Sequence, residues 1–154
     1  MTGGPAASGD GSDDDISLLI ARLREAAEPT DAVAGWATVE LDRAEVEVGG
    51  GGPHEVEPAP DEHVLGARCR LLTFADGRRV VLLEPSTEGL IAAALARQGE
   101  GTVALYLVTD AGAPERARRA GFQLSTERPG PLGPERLVRI GPRWGPFVLL
   151  AGFA

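Results

Sequence analysis

The sequence predicts an α+β fold of two tandem βαβββ modules joined by a connector helix, with a further helix in front of them. Three observations carry this expectation. Residues 80–106 (VVLLEPSTEGLIAAALARQGEGTVALY) read as strand, helix, strand. The segments flanking that stretch can be laid over each other in order: 36–42 (WATVELD) on 104–110 (ALYLVTD), 70–71 on 136–137, and 81–83 on 148–150. The shift is nearly constant, about 67 residues, which is the signature of a duplicated unit. Finally, short β-rich runs in both halves alternate apolar and polar residues and are separated by Gly and Pro turns.

Each element follows from local chemistry. Residues 1–11 (MTGGPAASGDG) are rich in Gly, Ala and Ser and have little apolar surface to offset ordering entropy, so a disordered tail is expected. Residues 12–28 form a helix. Ser12 caps it, Asp13 to Asp15 sit at the positive end of the dipole, and Ile16, Leu19, Ile20, Leu23, Ala26 and Ala27 make one apolar face before Pro29 stops it. That face is expected to lie on the protein's own body or on a second copy in a homodimer. The first module spans 34–85: a strand at 36–41, a short helical turn at 42–45, a glycine loop at 49–52, and a polar connector containing His54 and His63. An alternating strand at 64–74 follows, then a hairpin turn at Ala75-Asp76-Gly77 and a return strand at 79–84. Ser86 caps the connector helix of 86–99, ended by Gly99. The second module, 101–152, has strands at 102–109, 122–126, 136–140 and 146–151, and a short helix at 114–120 with Pro at its start.

Composition excludes several function classes. The formal net charge is −8, all 15 basic residues are arginine, and there is no dense basic stretch, which argues against a nucleic-acid partner. The 43% hydrophobic and 5% aromatic contents predict an aliphatic core. Cys69 is the only cysteine, so no intramolecular disulfide forms. No signal-peptide pattern and no membrane-length apolar run occur, and a cytoplasmic protein with no membrane partner is expected. The four glycines at 49–52 lack the Lys-Ser or Lys-Thr of a phosphate loop, and no Ser-His-Asp set or dinucleotide fingerprint is present. The group Glu55, Glu57, Asp61, Glu62 and His63 has metal-ligand composition but no regular spacing to hold an ion.

The stretch Leu82-Leu83-Glu84-Pro85, the helix to Gln98 and Gly99-Glu100-Gly101 resembles the vicinal oxygen chelate superfamily, most specifically its methylmalonyl-CoA epimerase branch. Glyoxalase I, ring-cleaving dioxygenases and bleomycin resistance proteins share that superfamily. The resemblance implies that the two modules curve one mixed sheet round a central cavity. It also implies four metal-ligand positions, two per module, which fall here on Trp36, Val81, Ala104 and Val148. None of these side chains offers a metal a lone pair, so no metal and no other cofactor is expected.

With that register, alternation places Thr38, Glu40, Arg79, Leu83, Thr102, Tyr106, Pro146 and Leu150 beside the cavity. Trp36 and Tyr106 would stack a planar ligand, and Arg68, Arg70, Arg136 and Arg139 would favour an anionic one. The ligand-binding set is therefore Trp36, Thr38, Glu40, Arg68, Arg70, Tyr106 and Arg139. The leading expectation is a metal-free small-molecule-binding protein. The alternatives are an isomerase, epimerase or lyase, with either an unusual metal site or Glu40, Glu84 or Glu100 as base, and an interaction module with a collapsed cavity.

Overall fold

The computed structural model describes residues 4–50, 52–86, 88–141 and 145–152, and of 4–13 the backbone alone. In chain order the elements are α1 (Gly4–Ala27), β1 (Asp31–Ala37), α2 (Leu41–Gly49), β2 (His54–Glu62), β3 (Ala67–Phe74) and β4 (Arg79–Pro85). There follow α3 (Leu90–Gln98), β5 (Gly101–Val108), α4 (Ala113–Arg119), β6 (Arg128–Gly130), β7 (Gly133–Val138) and β8 (Phe147–Ala151). Each half is βαβββ, and α3 joins them.

The eight strands form one sheet in the order β2-β3-β4-β1-β5-β8-β7-β6. Within each module the first and last strands are parallel neighbours, β1 with β4 and β5 with β8. The modules meet where β1 and β5 pair antiparallel, with Val33 opposite Tyr106 and a bulge after Gly35. A bulge strengthens local twist, and β2 and β6 approach each other at the far ends of the order. The sheet is therefore nearly closed round an interior.

Alternation along the strands sorts side chains onto two faces. Inside lie Val33 and Ala37 of β1, Ala67, Cys69 and Leu71 of β3, Val81 and Leu83 of β4, Ala104 and Tyr106 of β5, and Phe147, Leu149 and Ala151 of β8. Helix α3 closes one end with Ile91 and Ala94. Outside, α2 covers Leu72, Val80 and Leu82. Helices α1 and α4 cover Leu107, Val148 and Leu150.

Several boundaries differ from the sequence expectation. Helix α1 begins at Gly4, upstream of Ser12. Residues 4–11, expected as a disordered tail, are helical, with Pro5 in the first turn, where its missing N–H is harmless. Residues 1–3 of that tail lie outside the described residues. The apolar face of α1 is covered by the chain itself: Leu23 and Ala27 are fully buried against α4 and the sheet. The polar connector holding His54 is strand β2. Its Pro58 and Pro60 are tolerated because the strand is at the sheet edge, where one side needs no ladder donor. The expected strand at 122–126 is reduced to a single bridge from Leu124 to Val138, and β6 forms instead at Arg128–Gly130, inside the expected Pro-Gly loop. Helix α2 is longer than the expected turn, and α3 begins after Gly89 without a side-chain cap from Ser86. The glycine run includes the end of α2 at Gly49; its Gly51 lies outside the described residues.

Candidate functional site

The interior is built from the four strands that would carry ligands in a metal-binding member of this fold. Their inward side chains are Val33 and Ala37, Val81 and Leu83, Ala104 and Tyr106, and Phe147, Leu149 and Ala151. Trp36 and Val148 point the other way: Trp36 packs against α2 with Leu41, Leu72 and Leu82, and Val148 lies beneath α1 and α4. The expected register was one residue off on β1 and β8. The corrected positions change the chemistry little, since the phenol of Tyr106 is their only oxygen. A divalent ion needs lone pairs from His, Cys, Asp or Glu, so the inward residues of these four strands do not fit the metal that the fold commonly holds; their two carboxylates, Asp31 and Glu84, are paired with Arg79 and Arg68.

Of the sequence-derived ligand set, Glu40, Arg68 and Arg70 line one hollow of about 460 Å³ with Asp42, Asp61 and Glu84, whereas Trp36, Thr38, Tyr106 and Arg139 lie elsewhere. Thr38 is buried beyond the end of β1, where its hydroxyl donates to Glu100 Oε2 at 2.8 Å. Glu40 is exposed at the start of α2. Arg68 pairs with Glu84, whose other carboxylate oxygen accepts the Leu41 N–H at 3.0 Å. Arg70 reaches Asp42 at 2.7 Å and Glu45 at 2.8 Å on α2, on the outer face. Arg136 donates to the Ser125 carbonyl at 3.0 Å, and Arg79 pairs with Asp31. Thr102 and Pro146 are exposed and Leu150 faces outward. Of the candidate bases, Glu84 and Glu100 are held in ion pairs. The Glu100 carboxyl lies at about 2 because the Arg43 guanidinium hydrogen-bonds it first of all, reinforced by the Val39 N–H and the Thr38 hydroxyl. A base needs a proton affinity near neutrality, so Glu100 is a structural clamp. It ties the end of the connector to the start of α2.

Tyr106 alone of the expected set faces the interior, and it is filled space rather than an open platform. The ring is fully buried and its hydroxyl donates to Glu62 Oε1 at 2.7 Å. Glu62, at the end of β2, also accepts the N–H groups of Val64 (2.9 Å) and Leu65 (3.2 Å) through Oε2. Its neighbour is Glu135 of β7, fully buried, with neither oxygen accepting a hydrogen bond from the described residues. Burial, followed by the hydrogen bond to and the charge of Glu62, pushes the Glu135 carboxyl up to about 11. Burial thus favours the neutral, protonated form of Glu135 beside Glu62. Burial and the same two carboxyls also raise the Tyr106 phenol well above its ordinary range, and burial foremost raises the Cys69 thiol. Sequence reading passed over Glu135 because GPERLV offers no sign that its glutamate faces inward. Glu62 was grouped with its exposed neighbours because β2 was taken for a connector.

One mostly apolar hollow borders the interior beside α3 and β7; larger and more polar hollows of about 460, 470 and 670 Å³ lie elsewhere among the described residues. The apolar hollow has a volume of about 290 Å³, and it is lined by Leu90 of α3, Leu137 and Val138 of β7, Ile140 and Phe147, together with Ser125 and Arg139. Arg139 is exposed and makes no ion pair among the described residues. An apolar wall with a free guanidinium at the edge is suited to an apolar body carrying an anionic group.

Paired βαβββ modules sharing one nearly closed eight-stranded sheet define the vicinal oxygen chelate fold, and this chain has that fold. Among solved structures it is similar to methylmalonyl-CoA epimerase from Mycobacterium tuberculosis, with a TM-score of 0.68 and 22% identity over 79% of this chain and 87% of that one. A Streptomyces coelicolor methylmalonyl-CoA epimerase variant in complex with 2-nitronate-propionyl-CoA superimposes with a TM-score of 0.62 and 19% identity, over 78% of this chain and 95% of that one. A hypothetical protein from Bacillus halodurans, BH1468, matches at a TM-score of 0.63 and 19% identity, over 77% and 89% of the two chains. No protein-family model and no curated protein sequence matches the chain. At these identities the likeness speaks to architecture. Among the described residues no helix is long and apolar enough to cross a membrane.

Proposed function

We propose that this chain is a metal-independent small-molecule-binding protein whose ligand is an anion with an apolar body. The observation that carries the reading is the hollow of about 290 Å³ lined by Leu90, Leu137, Ile140, Phe147 and the exposed Arg139, which makes no ion pair among the described residues. Its volume is at the lower end of small-ligand sites, enough for an acyl chain or a single ring. Metal independence rests on the aliphatic side chains of β1, β4, β5 and β8, which supply no ligand set. The isomerase or epimerase alternative draws on the fold and on the Glu62–Glu135 pair. Both carboxyls are at most 1% exposed, and a base must reach its substrate, so binding is the better-supported reading. The packed interior agrees with the collapsed-cavity alternative at the centre of the fold, but not at its rim.

Epimerases of this fold have been crystallised with methylmalonyl-CoA and 2-nitronate-propionyl-CoA, so acyl-CoA thioesters and free short-chain or aromatic carboxylates are the first probes. Calorimetric titration of each probe, with and without EDTA, tests the proposal. At least one is expected to bind, with an affinity that EDTA leaves unchanged. Arg139→Ala should weaken it about tenfold, the loss of one charge-assisted hydrogen bond, and Leu137→Trp should block the hollow. Binding that EDTA abolishes, or that survives Leu137→Trp, would overturn the reading.

A further inference from the structure

A second hollow, of about 220 Å³, lies between α1, the turn after α4 and the residues after β7. Its lining includes Leu19 and Arg22 of α1, Phe122 and Gln123, and Arg139 and Ile140. Arg139 and Ile140 also line the apolar hollow of about 290 Å³, so the two hollows meet at Arg139. Two arginines line the second hollow and no carboxylate does, in a chain of net charge −8. The hollow of about 460 Å³ is different, because its arginines share it with Asp42, Asp61 and Glu84. Arg22 and Arg139 are both exposed, and neither makes an ion pair among the described residues. Arg22 is nevertheless held in place. Its guanidinium donates to the Ala120 carbonyl at 3.3 Å and lies 5.6 Å from the centre of the Phe122 ring, which leaves its other donors free. Its helix is fixed by the buried Leu23 and by Arg116 of α4, which donates to the carbonyls of Ala26 at 3.1 Å and Ala27 at 2.8 Å. Across the hollow, the Arg139 N–H donates to the Gln123 carbonyl at 3.0 Å and holds the facing wall.

We infer that this second hollow is a phosphate subsite, in which Arg22 and Arg139 together hold the phosphate of a ligand whose apolar body occupies the hollow of about 290 Å³. The inference rests on the small-molecule reading above and narrows its anion to a phosphate ester. One guanidinium already satisfies a carboxylate through two parallel hydrogen bonds. A second guanidinium with no countercharge calls for more negative charge and more acceptor oxygens. A phosphate monoester supplies both, with about −1.5 to −2 charge at pH 7 and three acceptor oxygens. It would also screen the repulsion between the two arginines. The order of the two hollows fits such a molecule: apolar lining beside α3 and β7, then the paired guanidinium groups. Arg22 comes from α1, which belongs to neither βαβββ module, so the subsite is completed from outside the paired modules.

The experiment titrates benzoate, phthalate and phenyl phosphate into the full-length protein by calorimetry at neutral pH and low salt. All three carry one ring and differ in their anionic groups. Phenyl phosphate should bind at least about tenfold more tightly than benzoate, the gain from one further charge-assisted hydrogen bond. Arg22→Ala should weaken phenyl phosphate about tenfold more than it weakens benzoate, so that the preference is lost. Arg24→Ala removes the same charge from another exposed position of α1 and should leave the preference intact. Circular dichroism checks that each variant is folded, and Arg22→Gln carries the comparison should Arg22→Ala not fold. Phenyl phosphate binding no tighter than benzoate would overturn the subsite and leave the small-molecule reading standing. Phthalate matching phenyl phosphate would do the same, since two charges of any geometry would then suffice. Equal losses in Arg22→Ala and Arg24→Ala would reduce the effect to long-range charge and overturn it too. Failure of every one of these probes to bind would overturn the small-molecule reading, and the phosphate subsite with it.

Discussion

Replacing Glu135 by Gln should stabilise the protein at neutral pH, against the usual expectation for a buried, hydrogen-bonded residue. The folded chain holds the Glu135 proton up to about 11, whereas the free side chain releases it near 4.5. Between those values the native state binds one more proton than the unfolded state, so stability falls as pH rises, by about 1.4 kcal/mol per pH unit. The contribution is complete below 4.5 and is lost progressively toward 11. At pH 7 the chain has moved about 2.5 units into that window, which corresponds to about 3 kcal/mol relative to a side chain that does not titrate. Glutamine has the same shape and does not titrate, so packing changes little. Urea unfolding at pH 5, 7 and 9 measures this directly through the midpoint and slope. The difference in unfolding free energy should widen in favour of Glu135→Gln by about 1.4 kcal/mol per unit. Parallel stability curves for the two proteins over that range would show that Glu135 is charged in the fold, and the neutral-acid assignment would fail.

Further outcomes follow from the same geometry. Gly35→Ala would place a methyl 2.8 Å from the Ala104 Cβ and 3.2 Å from the Tyr106 ring; overpacking at the module junction should lower stability by about 1–3 kcal/mol in thermal or urea unfolding. Leu23→Ala should cost about 2–5 kcal/mol, because Leu23 is fully buried and α1 is part of the body; an unchanged melting temperature would show α1 to be a detachable appendage. The low-lying Glu100 carboxyl contributes stability that is present above about 4.5 and is lost as pH falls toward about 2, so Glu100→Gln should flatten the acid side of the melting-temperature profile. Protein purified without chelator should contain far less than one equivalent of zinc, nickel, cobalt, manganese or iron by mass spectrometry. A stoichiometric ion would mean a ligand set outside the aliphatic strands β1, β4, β5 and β8.

Local sequence determined much of the architecture by itself. The alternation of Ala67, Cys69 and Leu71 against Arg68, Arg70 and Leu72 correctly separates the two faces of β3, because side chains on a strand project alternately. The repeat at about 67 residues and the run from Leu82 to Gly101 were enough to name two modules and their fold. What alternation alone does not supply is phase. Trp36 was placed inside because a first-strand ligand position was carried onto it, and the structure puts it under α2. A large, half-apolar side chain is equally at home on either face of a sheet covered on both sides. Only the packing of α2 on one side and the close approach of Gly35 to Ala104 on the other decided which. The arginines were likewise legible as charges but not as partners: Arg68 and Arg70 are committed to Glu84, Asp42 and Glu45, which are distant in sequence or on another element. Arg139 is exposed and makes no ion pair among the described residues. Glu62 and Glu135 are the clearest case of tertiary decision. Each sits in polar, Pro-bearing sequence that reads as surface, and each is buried because near-closure of the sheet brings β2 of one module against the β6 edge of the other.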